Sequence, residues 1–554
     1  MFTAIKNNRH LLAVIVAFLL FVVIVGVKGN FPTNDDWYFV RQVKAFDLGI
    51  FKLHAKVLPI FIVQGFLGLL WGTLFGIGFD SLRILTLLVT LFSGIILYRT
   101  ILLVTPQKRL AGLGMFIYLF NPIVLSSAFT FMTENYYLLF MVCSVYFAVK
   151  FFNLNRTKEF YLALLFMLLT SLVRQTGLFL FLAFFAAASW KNVKNISWRK
   201  TLFFFFSLTV TILLIVFWPR YQTSVIDKSI NLSSGYNVIL ERLSVYLLAI
   251  PMLVFWISPL FIIKKPSVGR LFDVSVLTWL FSYIVFRVDI FPLGSVFYFE
   301  SLHIKSGFRH SLSIFDNVPA KIVMSVYLGL LISVSAIYVF NKIKKIHINN
   351  RVTVFLWLCV VGVLTPILLT PTVYDRYFTP LIVFTVLLLI PEIKSQSKIF
   401  TLGILIFAFI SVVNVYEFII VKSLKHKLYE SLLADSTVNV TERDIYIDDT
   451  YSKYLYAEEQ EDYAGRGQNL PVGLVHKCFI QQYTIDGPFT LFIKNLEDKV
   501  EKRIKNPSVY GSTPPIRNIR ISKHLNELNR NEMYFSPLYS IIGKTAFVGS
   551  WCDK

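Results

Sequence analysis

The most regular feature of the chain is a series of long apolar runs separated by short polar connectors. A helix needs about 17–25 mostly apolar residues to cross a bilayer. The pattern predicts thirteen such spans, near residues 11–27, 81–104, 112–127, 134–152, 160–173, 176–190, 201–218, 243–263, 271–286, 322–340, 352–370, 378–391 and 399–421. A further apolar run at 57–78 is interrupted by a proline, a glutamine and several glycines, and it predicts an interfacial or re-entrant segment.

The pattern changes after residue 421. Alternating stretches such as RDIYIDD and PFTLFIKNL predict strands, and KNLEDKVEKRIK at 494–505 predicts a solvated helix. We therefore predict a polytopic α-helical membrane domain of about 13 transmembrane helices over residues 1–421, whose first outer loop is 28–80, and a soluble α/β domain over 422–554.

Composition and charge support the same division. The chain is 56% hydrophobic with a mean hydropathy of +0.65, which excludes an ordinary soluble protein. The formal charge is +22, but residues 422–554 hold 18 Lys and Arg against 17 Asp and Glu, whereas the first 421 hold 36 against 15. The basic excess therefore belongs to the membrane part and does not indicate a nucleic-acid partner.

Basic loops set the predicted orientation. Lys and Arg cluster at 191–200, 264–270 and 341–351, which makes these loops cytoplasmic by the positive-inside rule. The N-terminus is then cytoplasmic, and thirteen spans place the C-terminal domain outside the cell membrane. Of the 15 acidic residues in the membrane part, 11 fall on the predicted outer face. Acidic residues contribute little to topology, so their gathering on one face indicates a site there.

The four cysteines are too few for a disulfide scaffold. Cys143 and Cys359 lie in apolar runs and are predicted to be packing residues. Cys478 and Cys552 lie in the polar C-terminal part and can pair if that part faces an oxidising space. Sequence alone leaves the pairing open, because it shows no proximity.

The first candidate for chemistry is the stretch FPTNDDWYFVRQVKAF at 31–46, which follows the first apolar run. Thr33 and Asp36 fit a helix-capping box, which gives Asp36 a structural duty at the third helical position. Asp35 has no such duty. A carboxylate at this position can serve as general base, taking a proton from an acceptor hydroxyl.

Two further candidates lie downstream. In LHAKVLP, Lys56 can either neutralise a departing phosphate or extend to a lipid headgroup. His54 is either a metal ligand or a lone histidine that binds no metal. Glu134 begins an apolar run in which an unpaired charge is costly. A carboxylate is also favoured at any helix N-terminus, so both interpretations of Glu134 stay open here.

Polar corners between later runs supply the remaining candidates. Arg174 and Gln175 interrupt a long apolar stretch, either as turn residues or as a guanidinium fork for phosphate or carboxylate. The segment TPTVYDRYFTPL presents Tyr374, Asp375, Arg376 and Tyr377, whose rings suit a sugar face or an interfacial aromatic belt. The sequence contains no P-loop, GxGxxG, HExxH or CxxC motif, so ATP-driven transport and zinc proteolysis lose support.

Taken in order, these residues resemble the membrane-embedded GT-C glycosyltransferases, the group of the protein O-mannosyltransferases and the lipid A aminoarabinose transferase. The resemblance covers about residues 1–400 and rests on an ordered set: the acidic pair Asp35-Asp36, Leu74-Phe75-Gly76 with Leu82-Arg83, Asn121-Pro122 with Glu134, and Arg376-Tyr377 with Pro380. Thirteen spans with an outer C-terminal domain resemble the aminoarabinose-transferase branch in particular.

The resemblance implies a function. A polyprenyl-phosphate-linked sugar is the implied donor, a hydroxyl on a lipid, protein or glycan is the acceptor, and the anomeric carbon is inverted. Asp35 is the implied base, and Asp36 and Glu134 complete the implied catalytic set. Asp36 would shape the helix start or assist a metal, and Glu134 would hold the acceptor, the sugar or a metal. Lys56, Arg174 and Arg376 would bind the donor phosphate, and Gln175, Tyr374, Asp375 and Tyr377 would bind substrate. A divalent metal (Mg, Mn or Zn) held by Asp36, His54 and Glu134 is an open alternative to the cationic side chains.

Other classes of membrane protein also fit the hydrophobic pattern. A surface-polysaccharide polymerase or ligase would depend on outer-loop arginines rather than on Asp35. A lipid-linked-sugar flippase or transporter would need charge near the bilayer midplane and repeated halves with broken helices. A sensor whose C-terminal domain binds ligand would tolerate the loss of Asp35. The acidic outer face favours the glycosyltransferase.

Overall fold

A computed structural model gives the architecture of the protein. It describes residues 9–27, 29–33, 36–53, 57, 60–190, 197–218, 275–283, 297–300, 303–306, 350–369, 373–392, 398–434, 445–446, 478–486, 530–534 and 544–552, with scattered positions in 322–333. The predicted span at 243–263, and most of those at 271–286 and 322–340, lie outside the described residues. The predicted strand at 488–496 and helix at 494–505 lie outside them too.

The described chain is mostly helical, as the apolar runs predict. Its helices are α1 (Arg9–Val25), α2 (Asp36–Asp47), α3 (Ile62–Phe75), α4 (Phe79–Val104), α5 (Lys108–Leu119), α6 (Pro122–Ala128), α7 (Thr133–Leu154), α8 (Thr157–Val173), α9 (Leu178–Ser189), α10 (Trp198–Phe217), α11 (Arg351–Leu369), α12 (Thr379–Leu389) and α13 (Lys398–Leu433). Short 3-10 turns cover Gln175–Gly177, Asp375–Phe378 and Ile390–Glu392.

Within the described ranges, three helices are long and apolar enough to cross a membrane, namely α4, α7 and α10. The pair α5 and α6 would make a fourth span if it is counted as one. Five further segments are apolar but shorter: Arg9–Val25, Ile62–Phe75, Gln175–Ser189, Arg351–Thr365 and Arg376–Leu389. The number of thirteen spans therefore stays a prediction.

The predicted span at 112–127 is broken into two helices. α5 and α6 meet at an angle of 63°. Proline has no N–H for the helical ladder and disfavours the helical conformation of the residue before it. Asn121 is accordingly extended, and its side-chain oxygen caps α6 by accepting a hydrogen bond from the Ile123 N–H at 3.0 Å. A continuous apolar run therefore hides a break that Pro122 imposes.

Polar pairs hold neighbouring helices together inside the apolar bundle. The hydroxyls of Thr86 on α4 and Tyr136 on α7 lie 3.1 Å apart, and both side chains are fully buried. Ser93 on α4 and Tyr118 on α5 form a similar pair at 2.8 Å. Such hydrogen bonds add about 0.5–1.5 kcal/mol each and fix which helix faces which.

The run at 57–78 forms α3. One face of the helix exposes Phe66, Leu70 and Leu74, whereas its glycines are buried. A methyl group at Gly68 would lie 2.9 Å from side-chain atoms of Phe131 and Val43, so the absence of a side chain permits the close packing. The exposed apolar face fits the predicted interfacial or re-entrant segment, and its relation to the bilayer stays a prediction.

The strands form two sheets. β1 (Phe297–Glu300) pairs antiparallel with both β2 (His303–Ser306) and β3 (Val373–Tyr374). The second sheet has the order β4-β5-β7-β6, and its strands are β4 (Ile445–Tyr446), β5 (Cys478–Asp486), β6 (Arg530–Tyr534) and β7 (Lys544–Cys552).

The chain divides into two compact units. One comprises Met1–Asn30, Asn34–Arg309 and Val318–Val415, and the other comprises Phe31–Thr33, His310–Asn317 and Tyr416–Lys554. The second sheet lies in the latter unit. The predicted boundary between residues 421 and 422 falls within α13, so the change in composition does not coincide with the end of a helix. A soluble α/β domain over 422–554 stays a prediction.

Candidate active site

The acidic pair that the sequence singles out is only partly described. Asp35 lies outside the described residues, as do His54 and Lys56. Asp36 is the first residue of α2 and is fully buried. The described helix begins at Asp36 and the two residues before it lie outside the described set, so the third position of a capping box stays a prediction for Asp36. Its carboxylate makes an ion pair with Arg83 at 3.5 Å, because a buried arginine needs a nearby negative charge.

Arg83 ties the segment that follows α1 to the start of α4. Its Nη1 donates to the Gly29 carbonyl at 3.0 Å and lies 3.5 Å from the Asp80 carboxylate. Asp80 in turn accepts a hydrogen bond from the Gly29 N–H at 3.1 Å. The Arg83 side chain is only 3% exposed. These bonds fix the chain on the N-terminal side of Asp35, and the Asp36 ion pair fixes it on the other side.

Glu134 is the centre of a second charged cluster. It lies in the first turn of α7 and is 1% exposed. Its Oε1 accepts a hydrogen bond from Arg174 Nη2 at 3.1 Å and lies 3.2 Å from Arg376 Nε. Two cations from distant stretches of the chain thus contact one carboxylate oxygen. Among the described residues, Oε2 has no hydrogen-bond partner.

Arg174 is held by a tight corner between α8 and α9. The Arg174 N–H bonds to the Thr170 carbonyl, and the Gly177 N–H bonds back to the Arg174 carbonyl at 2.9 Å. A methyl group at Gly177 would lie 2.7 Å from the Ser171 backbone nitrogen, so only glycine allows the chain to fold back this closely. Gln175, the next candidate in the sequence, is exposed.

Arg376 belongs to the 3-10 turn Asp375–Phe378, which begins directly after β3. The pairing of β3 with β1 anchors this turn to the strand at 297–300. The Arg174 guanidinium lies over the ring of Tyr377, 5.4 Å from its centroid, so the turn contributes a cation and an aromatic face to the cluster. For Tyr374 and Asp375 the structure describes the backbone, and their side chains lie outside the described set.

The two clusters lie at the same end of the helices α4 and α7. Arg83 is in the second turn of α4, and Thr86 follows one turn later. Thr86 bonds to Tyr136, which is two residues after Glu134. The packing of α4 on α7 therefore brings the N-terminal ends of both helices to one side of the bundle. Asp36, Glu134, Arg174, Arg376 and Tyr377 are the predicted site residues that the structure places in these two clusters.

Two of the three predicted metal ligands, Asp36 and Glu134, are described, and His54 lies outside the described residues, so the metal site stays a prediction. Asp36 contacts the Arg83 guanidinium, and Glu134 contacts those of Arg174 and Arg376. Cations this close repel a divalent metal, which needs several free oxygen or nitrogen donors. No cluster of three or more His, Cys, Asp and Glu occurs among the described residues. We derive no chemical step through a metal.

Arg83 lies in the site but was not among the candidate site residues predicted from the sequence. It appeared only as part of the pair Leu82-Arg83 in the family resemblance. One available signal was its position in the long apolar stretch of α4, since an ionisable residue there is expensive unless it is paired. Asp80, three residues earlier, was a second signal, because such spacing puts two side chains on one helix face.

Breaking the Arg83–Asp36 pair should lower stability strongly. Removal of one partner of a buried ion pair costs about 3–5 kcal/mol, because the other charge is left uncompensated. We expect Arg83→Met to lower the midpoint of thermal unfolding in detergent, and the double variant Arg83→Met/Asp36→Asn to recover part of the loss. Arg99→Met is the matched control, since Arg99 is an exposed arginine on the same helix. A double variant as unstable as the sum of the single changes would contradict the pairing.

Comparison with known proteins finds one family model that matches part of this chain. Residues 62–221 match the model of the family described as dolichyl-phosphate-mannose-protein mannosyltransferase. This match confirms the resemblance to membrane glycosyltransferases over those residues, which include Arg83, Glu134 and Arg174. Asp35, Asp36 and Arg376 lie outside the matched segment. No curated protein matches the chain.

Solved structures of two proteins resemble this structure at low similarity. One is the archaeal oligosaccharyltransferase AglB from Archaeoglobus fulgidus, in complex with an inhibitory peptide and a dolichol-phosphate, at 14% identity and a TM-score of 0.37. The likeness covers 85% of this chain and 61% of AglB. The other is ArnT from Cupriavidus metallidurans bound to undecaprenyl phosphate, at 12% identity, a TM-score of 0.38 and 98% coverage of both chains. Its apo form gives 13% identity and a TM-score of 0.37 over 99% of this chain and 98% of that one. Similarity of this degree does not establish a common fold.

Proposed function

We propose that the protein is an integral membrane glycosyltransferase that moves a sugar from a polyprenyl-phosphate-linked donor to an acceptor hydroxyl, with inversion at the anomeric carbon. The observation that carries this proposal is the pair of guanidinium groups on the buried carboxylate of Glu134. The family match over residues 62–221 supports the same class of donor, since the family is described by a dolichyl-phosphate-linked sugar.

The charge of the cluster suits a phosphate. Glu134, Arg174 and Arg376 together carry two positive charges and one negative charge, so the three side chains have a positive excess. Arg174 is 17% exposed and Arg376 is 12% exposed, so water screens the charges only weakly. A guanidinium has five N–H donors in a planar fork that matches phosphate geometry. The departing polyprenyl phosphate gains negative charge in the transition state, and this cluster would stabilise it there. We assign Lys56 to the same phosphate as a further cation.

Glu134 then acts through the arginines. Its Oε1 fixes two side chains that come from separate elements, so that both forks are oriented before the donor arrives. Preorganised charge of this kind costs no rearrangement during the reaction. This role differs from direct contact with acceptor, sugar or metal, and it follows from the contacts of Oε1. We assign substrate contacts to Gln175, Tyr374, Asp375 and Tyr377, with the Tyr377 ring as a face for the sugar.

Asp35 is assigned the role of general base. Asp36 is already engaged by the buried Arg83 guanidinium. The neighbouring acid is therefore the better choice. In the proposed step, the acceptor oxygen attacks the anomeric carbon, the carbon–oxygen bond to the phosphate breaks, and Asp35 receives the hydroxyl proton. We further propose a multi-pass arrangement in the cell membrane, with the N-terminus cytoplasmic and the C-terminal domain extracytoplasmic.

A donor panel tests the proposal. Membranes containing the protein are incubated with radiolabelled polyprenyl-phosphate sugars, and transfer to lipid, protein or glycan is followed. We expect at least one donor to lose its label to an acceptor, with the anomeric configuration opposite to that of the donor. Matched membranes without the protein are the control. Movement of labelled donor across the bilayer without a new glycosidic bond would contradict the proposal and support a flippase.

A further inference from the structure

The register of the second sheet places two cysteines opposite each other. β5 and β7 are antiparallel, and their pairing runs from Cys478 opposite Cys552 to Asp486 opposite Lys544. Cys478 is the first residue of β5, and Cys552 is the last residue of β7. Cys478 is also the register partner of Ile445 in β4, so three strands are aligned at this residue.

Directly opposite residues of antiparallel strands meet the geometric requirement for a disulfide. Their Cα atoms are about 4.5 Å or about 5.5 Å apart, depending on whether the pair is hydrogen-bonded. A disulfide joins Cα atoms separated by about 4.4–6.8 Å, so either kind of pair is within range. Opposite side chains also lie on the same face of a sheet, whereas a shift of one residue moves a side chain to the other face. We propose that Cys478 and Cys552 form a disulfide bond.

The remaining cysteines do not compete for this bond. Cys143 on α7 and Cys359 on α11 are buried free thiols. Formation of the bond converts two thiols into one disulfide and releases two protons and two electrons. The electron acceptor is a disulfide-bearing oxidoreductase of the extracytoplasmic space. The thiolate of one cysteine attacks that disulfide, the other cysteine displaces the oxidoreductase from the resulting mixed disulfide, and the oxidoreductase leaves as a dithiol. The proposal therefore requires that the C-terminal part faces an oxidising compartment, as the charge bias predicts.

The bond would fasten the end of β7 to the start of β5, where strand ends otherwise fray. β7 is the central partner of both β5 and β6, so its position determines the register of the sheet. A covalent link at one end excludes slippage of β7 by one residue, which would exchange its two faces.

Differential alkylation tests the bond. Cells are lysed in denaturant with a first alkylating reagent, and the protein is then reduced and treated with a second reagent of different mass. We expect Cys143 and Cys359 to carry the first label, and Cys478 and Cys552 to carry the second. Digestion of the unreduced protein should yield one linked peptide containing Cys478 and Cys552. First label on either of these two residues in most molecules would overturn the proposal.

Two variants separate the bond from mere proximity. In Cys478→Ser, Cys552 should change from the second label to the first, because its partner is gone. In Cys478→Ser/Phe479→Cys, the cysteine moves by one residue to the opposite face of β5, and we expect Cys552 to carry the first label again. Efficient bonding of this displaced cysteine would show that the register does not select the pair, and would overturn the proposal as stated.

Discussion

Asp35→Asn should abolish sugar transfer while the protein is still made and inserted into the membrane. Asparagine keeps the size of the side chain but cannot take the acceptor proton. A positioned base contributes about 10²–10⁴-fold to the rate, so the loss should be of that order. The measurement is the initial rate of label transfer from the donor identified in the panel, normalised to the amount of protein in the membrane.

Two neighbouring carboxylates make this experiment specific. Asp47→Asn is the matched control, because Asp47 is an exposed carboxylate at the other end of α2. It should leave the rate near that of the wild type. Asp36→Asn should instead reduce thermal stability, since it leaves Arg83 buried without this counter-ion. Near-normal transfer by Asp35→Asn would remove Asp35 from the mechanism, whatever the two controls show.

Local patterns in the sequence predicted many of the elements. The apolar runs located most of the described helices, because a bilayer-spanning helix must be apolar over most of its length. The polar helix α2 corresponds to none of these runs. They failed at Asn121-Pro122, where the apolar run is continuous but the proline interrupts the helix. The relevant rule is local and visible in the sequence, yet a hydropathy average conceals it. Pro122 therefore predicts the helix break better than the apolar residues around it predict a continuous helix.

Contacts between helices were not predictable in the same way. Glu134, Arg174 and Arg376 were each recognised as charges at the edge of an apolar run, but three separate stretches supply them. An apolar run shows that a helix is buried in lipid or protein, and it does not show which helix is its neighbour. The pairing depends on polar contacts such as Thr86 with Tyr136 and on close approaches such as Gly177 to Ser171. These act through side-chain shape, which periodicity does not record.

Arg83 illustrates the difference between locating a helix and identifying its contacts. In the sequence, Arg83 is a single charged residue within a long apolar helix. In the structure it joins Gly29, Asp36 and Asp80, and so connects both flanks of Asp35 to α4. The sequence did indicate that Arg83 needs hydrogen-bond acceptors nearby, because a buried guanidinium requires them. It did not identify them, since Gly29 offers only a backbone carbonyl.

The second large effect concerns Arg174. Arg174→Met should lower transfer by about 10²–10³-fold, the usual effect of removing one preorganised donor from a charge that develops in the transition state. Arg156→Met is the matched control, because Arg156 is an exposed arginine at the opposite end of the same helix, α8. The control should retain the wild-type rate, since the change in residue type is identical and only the position differs.

A double variant decides between two roles of Arg174. If Arg174 serves only to help Arg376 balance the charge of Glu134, then Glu134→Gln should restore transfer to Arg174→Met, because the carboxylate that lost its second cation is gone. If Arg174 binds the donor phosphate, the double variant should remain as slow as the single one while its thermal stability recovers. We expect the second result, because the cluster carries more positive charge than Glu134 can neutralise. Recovery of both stability and rate would reduce Arg174 to a structural partner and leave Arg376 and Lys56 as the proposed phosphate ligands.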